Sequence, residues 1–194
     1  MALGHGLLIL LSTLAATQLA GCVTAAATGT AAAIGVAHDR RTAGTVIDDE
    51  AIELKAAKRI FEDPELREKV HINVTSYNYQ VLVSGEAPTR KLADRVIQLV
   101  RTIPKVRRVY DEIAIAAPSA MLSRSSDSLI TAKVKTALFG VGENFDPTRV
   151  KVVTERGIVY LMGIVTREEG EKATEAARHV GGVQKVVKLF EYLD

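Results

Sequence analysis

The chain has 194 residues, with 25 Lys+Arg against 23 Asp+Glu, 47% apolar residues, one Cys and no Trp. These values argue against a disordered or fibrous chain, and the length allows one ordinary domain or two small ones. A net charge of +2 gives no basic field to hold nucleic acid, and one Cys excludes an intramolecular disulfide framework or a Cys-pair zinc site.

Residues 1–21 carry no Asp, Glu, Lys or Arg, and an apolar run extends from Leu7 to Leu14. That run is too short to span a bilayer but suits the apolar middle of an export signal. Leu19-Ala20-Gly21-Cys22 follows it. Two small residues before a thiol suit a peptidase cleft, and the four residues resemble the lipobox of bacterial lipoproteins. The resemblance implies cleavage before Cys22, acylation of Cys22 and, with Val23 rather than Asp next, delivery to the periplasmic face of the outer membrane. Residues 22–45, rich in Ala, Thr and Gly to Ala37, read as a lipidated tether or loosely packed arm.

The remainder reads twice, at an offset of 78 residues that shortens to 77 after Pro88. Asp49, Ile52, Lys55, Phe61, Val74 and Gly85 recur as Asp127, Ile130, Lys133, Phe139, Val152 and Gly163. Asp49 and Asp127 are expected to cap the first helix of each copy, whose core stripes run Ile52, Ala56, Ile60 and Ile130, Val134, Leu138. Paired strands are expected over 70–76 with 79–84 and over 149–154 with 158–162, turning at Asn78 and at Arg156-Gly157. Gly85 and Gly163 end the second strands, where a side chain would hinder a close backbone approach.

A second helix starts at Thr89 or Thr166, with Glu169 completing a capping box in the second copy. Pro104 and Gly181-Gly182 end these helices, and last strands follow over 106–115 and 183–192. The order αββαβ predicts an α+β fold: two three-stranded mixed sheets, each with two helices on one face. The units fall at 46–115 and 127–194. Pro118 and the serines of the linker 116–126 suit either a flexible join or a rigid pair of domains.

This duplicated unit, with Val81-x-Val83-x-Gly85 and Val159-x-Leu161-x-Gly163 before its second helix, resembles the BON domain family. Asn73-Val74-Thr75, Val150-Lys151-Val152 and Gly44-Thr45 ahead of Asp48-Asp49 carry the same likeness. Two such domains behind a lipobox imply a non-enzymatic outer-membrane lipoprotein that supports membrane integrity, including at the division site. Related proteins place Trp where Leu129 stands, and their lipid contact is attributed to the second domain.

Catalytic patterns are missing from the sequence. His38, His71 and His179 show no metal-ligand spacing, there is no nucleophile elbow or P-loop, and no cofactor or metal site is expected. The first helix of the second copy is the place for binding. Leu129 lies about 100° from Ile130, beside Lys133 and Thr136, which takes it off the core stripe. The set expected to meet an anionic phospholipid membrane is Leu129, Lys133, Val134 and Lys135, the lysines reaching phosphates while their stems cover apolar surface. The matching helix of the first copy carries Glu50, Glu53, Lys55, Lys58, Arg59 and Glu62, whose charges nearly cancel. The alternative is a scaffold that binds envelope proteins.

Overall fold

The computed structural model describes residues 39–118, 121–142 and 144–194. The export signal, Cys22 and most of the expected tether lie outside them. The first unit is α1 (Ala43–Glu62), β1 (His71–Tyr77), β2 (Gln80–Ala87), α2 (Arg90–Arg101) and β3 (Arg108–Ile115). The second repeats it as α3 (Met121–Phe139), a 3-10 turn (Pro147–Arg149), β4 (Val150–Glu155), β5 (Ile158–Val165), α4 (Arg167–Arg178) and β6 (Lys185–Tyr192). Each sheet has its middle strand second in sequence: β1–β2 and β4–β5 are antiparallel, whereas β2–β3 and β5–β6 are parallel. The expected α+β architecture is therefore present twice. Among the described residues no helix is long and apolar enough to cross a membrane.

Both hairpins close through two-residue loops, Asn78-Tyr79 and Arg156-Gly157, and all four residues have positive φ. This is the turn whose twist matches paired strands, and Tyr79 enters it without a glycine's freedom. A buried carboxylate holds each loop. Asp49 accepts from the Asn78 and Tyr79 amides at 2.8 and 2.9 Å, and Asp127 from the Arg156 and Gly157 amides at 2.9 and 2.8 Å. This corrects the expected capping role. α1 starts at Ala43 behind Thr42, whose hydroxyl accepts from the Thr45 amide, so Asp49 lies inside the helix and points at the sheet. Asp127 is likewise internal to α3. Thr89 and Thr166 do cap α2 and α4, and Glu169 closes the capping box with Thr166.

Alternation along the central strands separates three apolar clusters. Val81 and Val83 face Ile52 and Ala56 of α1 and Ala93, Val96 and Val100 of α2. Val159 and Leu161 face Ile130, Val134 and Leu138 of α3 and Ala173 and Ala177 of α4. The opposite sheet faces meet each other: Tyr77 and Leu82 of the first unit pack with Tyr160, Met162, Ile164 and Leu189 of the second. The two units are thus packed as a pair, layered helix–sheet–sheet–helix, because each sheet is apolar on both sides. Polar contacts rim this seam, with Lys151 paired to Glu53 at 2.8 Å and the Asn78 and Gln80 amides both donating to Glu191.

Two expected boundaries shift. Residues 39–45 are folded rather than tethering: Arg40 forks onto Glu169 at 2.6 and 2.9 Å and donates to the Ile164 carbonyl. Arg41 bridges Asp39 and Asp49 and lies 3.9 Å from the centre of the Tyr77 ring. Of the expected linker 116–126, Met121 onward is already α3.

Candidate functional site

On α3, the hydrogen bonds of Asp127 and the packing of Ile130, Val134 and Leu138 fix which side faces inward. Leu129 is 63% exposed and Phe139 is 72% exposed on the outward side, with Lys133, Lys135 and Thr136 also exposed. Asp127 is the one acid in the helix and is buried against the hairpin, so the outer face carries cations without anions. Val134 is corrected. It is fully buried in the second core, five positions and so about 140° round the helix from Leu129, and cannot reach a bilayer.

Leu129 and Lys133 share a face as expected. Lys135 turns toward the side, where it lines a cleft with Arg41, Tyr77, Phe139 and Lys151. Two members of this surface were missed from the sequence. Phe139 follows Leu129 by ten positions, off the Ile130–Leu138 stripe, which was the available signal. Lys151 comes from β4, and nothing local ties it to α3.

Gly85 and Gly163 do not end their strands, which run on to Ala87 and Val165, but the expected close backbone approach is there. A Cβ on Gly85 would fall on the His71 carbonyl oxygen, and one on Gly163 on the Arg149 carbonyl oxygen. Gly85 also has φ +120°, a conformation that side chains disfavour.

The described residue set most able to hold a cation is His71, Glu86 and Glu155, whose donor atoms lie within 4.8 Å of one another. His71 opposes Glu86 across the β1–β2 ladder, and Glu155 reaches them from β4 across the seam. No spacing rule brings these three together. Burial raises the Glu155 carboxyl above its usual range, opposed by an Asn73 hydrogen bond and reinforced by Glu86. Arg156 stands 3.7 Å from Glu86, so counter-charge is already in place beside the trio. Glu169 is the opposite case. Burial would raise it, but bonds from Arg40, the Thr166 amide and Arg149 bring its pKa down to about 2.

The BON domain model matches residues 48–117 and 126–194, one match on each αββαβ unit. The chain belongs to the BON domain family. It is 38% identical over 176 residues to the outer membrane lipoprotein DolP of Haemophilus influenzae, covering 91% of each chain. It is also 37% identical over 155 residues to the 21 kDa hemolysin of Actinobacillus pleuropneumoniae, covering 80% of this chain and 79% of that one. Among solved structures, the C-terminal domain of CdsD, a type III secretion protein of Chlamydia trachomatis, aligns over 75% of this chain and 67% of its own with 16% identity and a TM-score of 0.29.

Proposed function

We propose that this dual BON protein is an outer-membrane lipoprotein, anchored through Cys22 on the periplasmic face, that binds anionic phospholipid through α3 and catalyses no reaction. Likeness to the H. influenzae lipoprotein over nine tenths of both chains supports the location, and Leu19-Ala20-Gly21-Cys22 supports the anchor. The observation that carries the lipid reading is the outward face of α3: two large apolar side chains beside exposed Lys133 and Lys135, with no competing acid. Apolar insertion gives such a helix its hold, and each lysine near an anionic surface adds about 1 kcal/mol. Support of outer-membrane integrity, and action at the division site, rest on the family likeness.

The test uses the full chain with Cys22→Ser, so that no anchor contributes, and sedimentation with phosphatidylglycerol or phosphatidylcholine vesicles. Binding is expected to the anionic vesicles, to weaken with salt, and to fall at least about tenfold in the Leu129→Glu, Lys133→Glu double variant. Unchanged affinity in that variant would remove α3 as the lipid surface.

A further inference from the structure

α1 carries an outward stripe of its own. Ile47 is 66% exposed, Leu54 72% and Phe61 65%, three of the seven large apolar side chains exposed among the described residues, and all on one helix. Their spacing of seven keeps them nearly in line, drifting about 20° per step, on the side opposite Ile52 and Ala56. A line of this kind on a helix whose other side is satisfied is a surface built for contact.

The charges beside the stripe say what the contact is. An anionic bilayer suits α1 poorly, since Asp48, Glu50 and Glu53 occupy its amino-terminal half and Lys55, Lys58 and Arg59 its carboxy-terminal half. Reversed end to end, that pattern complements itself. About a two-fold axis at Leu54, Ile47 meets Phe61, Glu50 meets Lys58 and Ala51 meets Ala57, because each pair is equally distant from Leu54. The alanines let the backbones approach while the outer apolar residues pack end on end. Lys58 lies 3.7 Å from Glu62 of its own helix, an exposed pair that holds it only weakly. Glu53 is committed to Lys151 and plays no part.

We infer that α1 pairs antiparallel with α1 of a second copy of this chain, in an isologous contact centred on Leu54. Three apolar side chains and two ion pairs bury far less than the roughly 1,000 Å² of a stable interface, so the contact is transient and is best trapped covalently. It does not depend on α3 binding lipid.

The two-fold axis makes the test self-reporting, because Leu54 faces its own copy. In the full chain with Cys22→Ser, Leu54→Cys supplies the sole thiol, and mild oxidation followed by a non-reducing gel reads dimer yield. Leu129→Cys, on a similarly exposed residue of α3, is the control. Leu54→Cys is expected to give several-fold more disulfide dimer than Leu129→Cys. Adding Glu50→Lys should lower the yield several-fold, and adding Lys58→Glu to that variant should restore it, because the reversed charges again face each other. Yields equal to the control, or a Leu54→Cys yield indifferent to charge reversal, would overturn the pairing. So would loss of anionic-vesicle binding on Leu54→Glu, which would make a bilayer the occupant.

Discussion

α1 and α3 descend from one unit, and they agree on one side only. The inward residues Asp49, Ile52, Ala56 and Ile60 correspond to Asp127, Ile130, Val134 and Leu138, keeping the turn-holding acid and the apolar core. The outward residues part company: Glu50, Ala51 and Leu54 stand where α3 has Ser128, Leu129 and Ala132. α1 carries both signs of charge beside a straight apolar line, whereas α3 exposes lysines and no acid. The inward side answers to a sheet that is the same in both copies, and the outward side answers to whatever docks there. Duplication left the fold fixed and the outward sides of the two helices free to differ.

The comparison extends to paired positions where the two copies should respond unequally. The largest effect is expected at the glycines. Gly85→Ala meets both a carbonyl oxygen and an unfavourable φ, and should cost about 4 kcal/mol; Gly163→Ala meets the carbonyl alone and should cost about 2 kcal/mol. Urea unfolding measures both, and equal costs would mean that backbone strain adds nothing at Gly85.

Next come the turn-holding acids. Asp49 accepts from two turn amides, from Ser76 at 2.7 Å and from Arg41 at 2.9 Å, whereas Asp127 accepts from two amides beside a turn with glycine. Asp49→Ala should therefore cost about 3 kcal/mol and Asp127→Ala about half that. The order would reverse if the glycine-free turn Asn78-Tyr79 formed unaided.

The smallest effects, opposite in sign, belong to two glutamates. Glu169 titrates at about 2, below its unfolded value, so its contribution is present above the usual carboxylate range and disappears as pH falls toward 2. Glu169→Gln should then destabilise at neutral pH and become harmless in acid. Glu155 titrates above its unfolded value, so the folded chain holds that proton more tightly and stability falls as pH rises through the raised pKa. Glu155→Gln should be neutral at low pH and stabilising at neutral pH. Urea titrations between about pH 3 and 8 distinguish the two.

Much of each unit was legible because it is local or repeated. Val81-x-Val83-x-Gly85, its partner Val159-x-Leu161-x-Gly163, and the caps Thr89 and Thr166 appear where sequence put them. Leu129 is exposed as its helical angle required. A carboxylate before an apolar stripe looks alike whether it caps its own helix or, as Asp49 and Asp127 do, holds a hairpin 29 residues away. Val134 fits the core stripe by its spacing and the lipid face by its lysine neighbours, and burial keeps only the first. The folded segment 39–45 escaped notice because Arg40 finds its partner, Glu169, 129 residues further on.

By itself, then, the sequence determined two αββαβ copies, their turns and glycines, and a basic helix in the second, since each follows from spacing within one unit. Only the tertiary structure decided that the sheets join back to back, that Arg40 binds the two units, and that α1 leaves Ile47, Leu54 and Phe61 facing out. Those depend on which surfaces a folded chain covers, and periodicity within a single element carries no record of what lies on its far side.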